Sequence, residues 1–359
     1  RDVAVTGVQT CALPIYIYPA LAVHEVLGKR AGYQAFWIGR EDRSEKEAVE
    51  LAGIPFFAIR SGKLRRYRSL KNLFDIGNVL VGCFQAFCIL IRNRPNVLFS
   101  KGGFVSVPPV LAAFLLGIPV VSHESDTSAG LATRINARFS RFVCVPFAQG
   151  FETIQKHKRV VTGNPIRQVL VAEAEQPYKE GELAFIGKDD KLILVLGGSS
   201  GSQQINALIR NNLEALTQLA YVYHQCGSKD VQNLVHERYT EVAFITDLLP
   251  SLLKRADLVI SRSGANTIAE LALFGCPSLL IPLSRQYSRG DQIDNALRLA
   301  SLGASRVLLD ENDLNRFFVE VKDLLDDRQK RTMLSGNIRK LAQKECAHSI
   351  AELLGSVKE

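Results

Sequence analysis

Ala256-Asp-Leu-Val-Ile-Ser-Arg-Ser-Gly-Ala-Asn-Thr-Ile-Ala-Glu270 is the most informative stretch of this sequence. Its apolar residues Leu258–Ile260 predict a buried β-strand, Ser263 and Gly264 predict a tight turn, and a helix is expected to follow. Unpaired N–H groups and the helix dipole meet at such a helix N-terminus, which therefore suits an anionic or polar ligand. Glu270, in the second turn, offers an acceptor-only partner for the vicinal hydroxyls of a ribose. An ordinary strand–helix connection is the alternative for this stretch taken alone.

A second glycine-rich turn, after another predicted strand, strengthens the prediction of a ligand site. Leu192–Leu196 is a continuous apolar run, as in a strand buried on both faces of a parallel sheet. Gly197, Gly198 and Gly201 follow it, and glycines let a backbone turn tightly and approach a ligand closely. The spacing is not that of a dinucleotide fingerprint, and the lysine of a P-loop is missing. Together the two turns favour a nucleotide-diphosphate site over a purely structural role.

Length and composition predict two α/β domains. The chain has 359 residues, more than one core usually organises, and it is 47% apolar and 22% charged. Apolar runs alternate with helical patterns throughout, which is typical of two doubly wound parallel sheets. The predicted strands are Ala35–Gly39, Val97–Ser100, Val120–His123, Phe142–Val145, Leu192–Leu196, Leu258–Ser261 and Ser278–Pro282.

The net charge of +8 comes without a nucleic-acid motif, so nucleic acid is not an expected partner. Basic residues cluster in Lys63–Lys71, immediately before an apolar helical pattern, which predicts contact with an anionic membrane surface. A solvated loop followed by a core helix is the alternative. Asn78–Ile91 is too short to span a bilayer, and we expect no secretory signal. Seven scattered cysteines without C-x-x-C spacing indicate reduced thiols in a cytosolic protein.

Seven different short motifs lie along the chain from Tyr18 onward: Tyr18–Val23, Lys101–Ser106, Gly117–Glu124, Gly163–Arg167, Gly197–Gly201, Arg262–Glu270 and Asp291–Ala296. In their order and residues they resemble the MurG family of glycosyltransferases. The resemblance implies a GT-B fold, in which two Rossmann-like domains face each other across a cleft. The domains would span residues 1–164 on the acceptor and membrane side and 165–339 on the UDP-sugar side. Residues 340–359 would form a helix that returns to the first domain.

The resemblance also implies an activity: inverting transfer of N-acetylglucosamine from UDP-N-acetylglucosamine to the C4 hydroxyl of lipid I. This reaction forms lipid II in peptidoglycan synthesis. The enzyme would be a peripheral protein of the cytoplasmic face of the bacterial inner membrane. No cofactor and no metal site are expected.

Donor-binding residues follow from the resemblance position by position. Ser199, with the glycine loop, would hold the diphosphate, and Ile245 would read uracil through its backbone. Arg167 would bind the donor beside the interdomain hinge. Glu270 would accept from the ribose hydroxyls. The donor cleft would be lined by Ala265, Asn266, Thr267, Ile268 and Ala269.

Two further residues would bond the sugar. Gln292 and Asn295, three apart on one helical face, can point into the same pocket. Each of these assignments has a structural alternative: a hinge residue for Arg167, an N-cap for Ser199, and a solvated helix face for Gln292 and Asn295. His123 is read as a structural histidine.

Asp126 departs from the family, which has Asn at this position in contact with the donor sugar. Asp keeps an acceptor, loses the amide donors and adds a charge. Asp126 therefore stays in the predicted substrate-binding set with its sugar contact in question.

The N-terminus departs more strongly. The family has a glycine-rich loop and a histidine where this chain has Cys11-Ala-Leu-Pro-Ile15 and then Tyr16. Val5–Ile15 is an in-frame translation of a common sequencing-library adapter, and its final T would turn a His codon into the Tyr codon of Tyr16. We therefore interpret residues 1–15 as non-native and name no secure catalytic residue in the chain as written.

Three other functions compete with this reading. A GT-B transferase acting on another lipid acceptor, such as diacylglycerol, would share the donor motifs. A nucleotide-sugar-binding form without activity would follow from the altered N-terminus. A basic nucleic-acid binder would show salt-sensitive binding of oligonucleotides.

Overall fold

The computed structural model describes residues 2–6, 13–62, 71–179, 181–198, 201–285, 290–309 and 314–357. Thirteen strands lie within these ranges: β1 Asp2–Thr6, β2 Gln34–Arg40, β3 Phe56–Ile59, β4 Val97–Ser100, β5 Val120–His123, β6 Phe142–Val145, β7 Arg159–Val161, β8 Leu192–Leu196, β9 Tyr221–Gln225, β10 Tyr239–Val242, β11 Leu258–Ser261, β12 Ser278–Leu280 and β13 Arg306–Val307. All seven predicted strands are present, with ends that differ by at most two residues.

The α-helices of the described residues are α1 Leu13–Leu27, α2 Arg43–Leu51, α3 Lys71–Asn93, α4 Val107–Leu115, α5 Leu131–Phe139, α6 Gln168–Glu175, α7 Gln203–Asn211, α8 Leu213–Leu219, α9 Leu249–Arg255, α10 Ala265–Phe274, α11 Asp291–Ser301, α12 Leu314–Asp326, α13 Arg328–Arg339 and α14 Cys346–Ser356. Short 3₁₀ turns occupy Phe104–Ser106 and Lys156–Lys158. No described helix is long and apolar enough to cross a bilayer. The six described cysteines carry free thiols.

The chain forms two compact units, the first from the residues up to Gln168 and from Gln343 onward, the second from Val169–Ala342. The first unit holds a seven-stranded parallel sheet in the order β3-β2-β1-β4-β5-β6-β7. Alternate residues of a strand face opposite sides, so Trp37 and Phe99 pack with α1 and α14. Ile38 and Leu98 pack on the other face, with α3 and α4.

The second unit holds a six-stranded parallel sheet in the order β10-β9-β8-β11-β12-β13. β8 and β11 are its central strands, and every residue of both is buried, because helices cover both faces of a parallel sheet. The predicted two-domain α/β fold is therefore confirmed in its parallel sheets and in the layers of helices around them.

Candidate functional site

Both sheets contain a topological switch point at their carboxyl edge. In the second unit the chain runs from β8 outward to β9 and β10, and then returns to β11 on the other side of β8. The loops after β8 and β11 therefore diverge, and this divergence opens the crevice in which doubly wound folds bind ligands. Leu196 and Ser261 are register partners at the ends of these strands. The two turns singled out in the sequence thus flank one crevice.

The glycine loop after β8 needs its glycines for two different reasons. Gly198 has φ +85° and is exposed, and among the described residues no heavy atom lies within 4 Å of the position where its Cβ would be. Gly201 has φ +76°, and a Cβ there would lie 2.1 Å from the carbonyl oxygen of Cys226. Gly198 therefore leaves open space beside the backbone, whereas Gly201 allows the loop to pack against the end of β9.

The helix that follows this loop is capped by Ser202. Its hydroxyl accepts a hydrogen bond from the N–H of Ile205 at 3.4 Å, so the N-cap role that one alternative gave to Ser199 belongs to Ser202. Ser199 itself lies outside the described residues. A serine just before the amphipathic pattern of α7 was the signal that would have identified this cap.

Gln225, at the end of β9, is a residue that the sequence reasoning missed. Its Nε2 donates to the carbonyl oxygen of Gly198 at 2.9 Å, and its Oε1 accepts from the N–H of Ile245 at 2.9 Å. One side chain therefore holds both the glycine loop and the segment predicted to read uracil. The N–H of the buried Ile245 is therefore engaged within the protein.

A buried polar network lies at the end of β9, where the glycine loop packs. Asn206 on α7 donates to the carbonyl of Cys226 at 2.9 Å and to Asp230 at 3.0 Å. Its Oδ1 lies 3.0 Å from Nε2 of His224, whose Nδ1 lies 2.8 Å from the Tyr239 hydroxyl. Both amide hydrogens of Asn206 are donated, so its oxygen accepts from His224. Burial lowers the pKa of His224 to about 4, which keeps the imidazole neutral in this network.

The turn after β11 is held by α11, which is itself bonded to the loop after β12. Ser263 donates its hydroxyl to the carbonyl of Gln292 at 2.7 Å, and Asn295 donates to the carbonyl of Ser263 at 3.1 Å. Gln292 also accepts from the N–H of Leu283 at 3.0 Å. Gln292 and Asn295 are thus brought to the same turn, but Asn295 is only 1% exposed and its amide is engaged there.

α10 begins at this turn with Gly264 as its N-cap, which has no side chain to bond the first N–H groups of the helix. Ala265 and Ile268 are buried, whereas Asn266, Thr267 and Glu270 are half-buried. Glu270 follows Asn266 by four residues and Thr267 by three, so its side chain neighbours both of theirs on the helix surface. Ala269 is half-buried as well. The helix therefore presents an amide, a hydroxyl and a carboxylate along one partly open face.

The first unit has its own switch point, between β1 and β4. After β4 come Gly102 and Gly103, with φ +87° and +76°. The loop after β1 includes residues 7–12, outside the described part of the chain. Tyr16 lies in α1, and its side chain is not among those described.

Glu124 organises the loop after β5. One of its carboxylate oxygens accepts from the N–H groups of Ser125 at 2.9 Å and Asp126 at 3.2 Å. The other accepts from the N–H of Gly130 at 3.1 Å and from the hydroxyl of Thr133 at 2.6 Å. Asp126 is half-buried on this loop, where its backbone is fixed through Glu124.

His123 is completely buried, and both of its ring nitrogens have partners within the first unit. The structural reading of His123 is therefore confirmed. Arg167 is half-buried, and its guanidinium carbon lies 5.4 Å from the centroid of the Tyr18 ring, a cation–π contact. Among the described residues no three His, Cys, Asp or Glu side chains are grouped so as to hold a metal ion.

Comparison with known proteins agrees with this arrangement. Residues 16–145 match the Glycosyltransferase family 28 N-terminal domain, and residues 192–353 match the Glycosyltransferase family 28 C-terminal domain. A Treponema pallidum protein is 43% identical over 309 residues, which cover 82% of this chain and 79% of that protein. It is named UDP-N-acetylglucosamine--N-acetylmuramyl-(pentapeptide) pyrophosphoryl-undecaprenol N-acetylglucosamine transferase.

A Clostridium kluyveri protein of the same name is 39% identical over 345 residues, 96% of each chain. The crystal structure of Acinetobacter baumannii MurG superposes with a TM-score of 0.74 at 26% identity and covers 99% of both chains. The predicted GT-B fold and the predicted family are both confirmed by these matches. This chain belongs to glycosyltransferase family 28, and within it to the MurG family of N-acetylglucosamine transferases.

Proposed function

We propose that this chain transfers N-acetylglucosamine from UDP-N-acetylglucosamine to the C4 hydroxyl of lipid I, with inversion at the sugar C1, to form lipid II. The observation that carries the proposal is the pair of turns at the β8–β11 switch point. Family membership supports the identities of donor and acceptor.

The donor would lie in the crevice of the second unit. Its diphosphate would accept from N–H groups of the loop between Gly197 and Ser202, beside the exposed Gly198. Its ribose would bond Glu270, and its uracil would meet the backbone at Ile245. Backbone donors at this position would stabilise the charge that develops on UDP as it leaves.

The reaction also needs a base for the acceptor. The C4 hydroxyl attacks C1 from the face opposite UDP, the bond from C1 to the diphosphate oxygen breaks, and the hydroxyl proton passes to a base. A histidine is suited to this because its pKa lies near neutrality. The family's histidine falls at Tyr16, and the family-28 match begins at residue 16. We therefore propose that Cys11–Ile15 and Tyr16 stand where the native protein has a glycine-rich loop and a histidine.

A transfer assay tests this function. We expect the chain with Tyr16→His and a restored glycine-rich loop to transfer N-acetylglucosamine to lipid I, with no transfer from UDP-galactose and none to diacylglycerol. The chain as written should bind UDP-N-acetylglucosamine with little or no transfer. Transfer to diacylglycerol in preference to lipid I would overturn the acceptor. Binding without transfer after restoration would favour a binding module instead.

A peripheral position on an anionic membrane is the second part of the proposal. The outer stripe of α3 and the end of α4 expose large apolar side chains: Leu80, Val81, Phe84, Ile91, Phe114 and Leu115. Exposed large apolar side chains on neighbouring helices are typical of a membrane or protein contact. The basic residues Lys63–Arg68 that would accompany it lie outside the described residues. The membrane would be the cytoplasmic face of the bacterial inner membrane.

Vesicle co-sedimentation tests the membrane contact. Leu80→Ser with Phe84→Ser should release the protein from vesicles that contain phosphatidylglycerol, because both side chains would lose their apolar burial in the bilayer. Leu51→Ser is the matched control, since Leu51 is 89% exposed on α2. Equal binding by all three proteins would contradict the contact. Salt-sensitive binding to oligonucleotides instead would favour a nucleic-acid partner.

A further inference from the structure

Lys101 is a buried cation that the proposed reaction does not use. It follows β4 directly and is 1% exposed. Its ammonium group donates to Nδ1 of His123 at 2.7 Å and to the hydroxyl oxygen of Ser125 at 2.6 Å. Burial lowers the pKa of Lys101 to about 8, so the group is mostly charged at neutral pH.

These contacts fix the positions of the neighbouring protons. An ammonium group can only donate, so Nδ1 of His123 accepts and the ring proton lies on Nε2. Nε2 then donates to the carbonyl oxygen of Gly163 at 2.8 Å. Ser125 accepts from Lys101 in the same way, and its own hydrogen goes to Oδ1 of Asn164 at 3.1 Å. Burial and the charge of Lys101 hold the pKa of His123 well below 6.5, which keeps the ring neutral.

Both branches end on consecutive residues, Gly163 and Asn164. The N–H of Gly163 donates to the carbonyl oxygen of Val145 at 3.3 Å. Gly163 has φ +86°, and a Cβ on it would lie 2.3 Å from Oε1 of Gln343. The chain continues from here to Arg167 and leaves the first unit after Gln168, and it re-enters that unit at Gln343. The segment that leads to Arg167 is therefore fixed from several sides.

Burying an ammonium group costs more than burying a methionine of similar volume. The buried carboxylate of Glu124 offsets part of that cost, because it raises the pKa of Lys101 against the effect of burial. A methionine, however, has no hydrogen to donate to His123 or Ser125. What the lysine supplies is one defined arrangement of these two side chains.

We infer that Lys101 is a positioning residue for donor binding: through His123 and Ser125 it sets the backbone that carries Arg167. The inference rests on the proposed function, together with the donor-binding role that the family resemblance gives to Arg167. Arg167 follows Asn164 by three residues, so a shift of the held segment moves the guanidinium group as well.

The test compares Lys101→Met with Lys158→Met. Lys158 donates to the carbonyls of Ala137 and Arg138 at the end of α5, so it serves a different segment from the one that Lys101 holds. Calorimetric titration of UDP-N-acetylglucosamine should give a dissociation constant about tenfold higher for Lys101→Met, the loss expected for one charge-assisted hydrogen bond. Lys158→Met should stay within twofold of the unmodified chain.

A double variant separates positioning from general damage. In an Arg167→Met background, Lys101→Met should cause no further loss of donor affinity, because there is no guanidinium group left to position. Nitrogen NMR should show His123 as the neutral Nε2–H tautomer in the unmodified chain and a changed ring signal in Lys101→Met. If Lys101→Met does not fold, Ser125→Ala, which cuts one branch, should still raise the dissociation constant several-fold.

Donor affinity within twofold of the unmodified chain in Lys101→Met, or an equal loss with and without Arg167, would overturn the inference. Failure of the unmodified chain to bind UDP-N-acetylglucosamine at all would instead overturn the proposed function, so the two failures can be told apart.

Discussion

Gly198 and Gly201 both require a positive φ, but the structure predicts that alanine at each will do different damage. An alanine in the left-handed region costs about 1–2 kcal/mol through strain alone. At Gly198 the added methyl group meets no described atom within 4 Å and enters the open space beside the loop. At Gly201 it would lie 2.1 Å from the Cys226 carbonyl oxygen, so the backbone must move by roughly 1 Å.

The magnitudes follow from these two cases. Gly198→Ala should cost about 1–2 kcal/mol of stability, and Gly201→Ala at least about 3 kcal/mol, because a backbone clash adds to the strain. For a domain of this size these values correspond to losses of Tm of about 2–8 °C and about 6 °C or more. Gly198→Ala should nevertheless weaken UDP binding at least about tenfold, since its methyl group occupies space that the diphosphate would take.

Thermal unfolding and calorimetric titration of UDP measure the two effects. Gly32→Ala is the matched control for strain, since Gly32 has φ +71° and also has no heavy atom within 4 Å of its Cβ position among the described residues. If Gly198→Ala binds UDP within twofold of Gly32→Ala, the diphosphate does not lie beside Gly198. If Gly201→Ala is no less stable than Gly198→Ala, the argument from the Cys226 contact is wrong.

Three further predictions follow. Burial raises the pKa of Glu45 from 4.5 to about 7, and Glu45 accepts from the Trp37 indole at 2.7 Å. Between pH 4.5 and 7 the folded state keeps a proton that the unfolded state releases. As pH rises through this range, the free energy of unfolding should therefore fall by about 3 kcal/mol relative to that of Glu45→Gln. A difference in Tm between the two proteins that does not vary from pH 5 to pH 8 would contradict this. Glu270→Gln should weaken UDP binding about tenfold and leave binding of the 2′,3′-dideoxy analogue unchanged; equal losses for both ligands would remove the ribose role. Tyr18→Leu removes the cation–π contact and should raise the donor dissociation constant about two- to fivefold, but only while Arg167 is present; the same loss in an Arg167→Met background would refute the link.

Most inner strands of the two sheets could be predicted from the sequence, but the inner strands β1 and β9 and the edge strands could not. β8 and β11 are uniformly apolar because both of their faces are covered. β3 and β7 lie at the two edges of their sheet, are short and consist largely of half-buried residues, so they carry no such pattern. β9 was missed for another reason: His224 and Gln225 are polar and yet buried.

The candidate site also combines features that a local sequence pattern predicts with features that depend on tertiary structure. The glycine turns and α10 are local features, and the structure places them after two adjacent strands of one sheet. Gln225 acts on the glycine loop only because β9 lies next to β8, an arrangement that no local pattern specifies. Lys101 resembles any surface lysine in the sequence, and its burial depends on the neighbouring strand. The sequence shows that Asn295 shares a helical face with Gln292. It does not show that Asn295 is buried against Ser263, because that depends on how α11 packs on the turn after β11.

A crystal structure of the chain with bound UDP would test most directly how the second unit holds its ligand. We expect diphosphate oxygens within hydrogen-bond distance of backbone N–H groups between Gly197 and Ser202, and ribose hydroxyls on the carboxylate of Glu270. UDP bound elsewhere on the second unit, with both turns empty, would contradict the account.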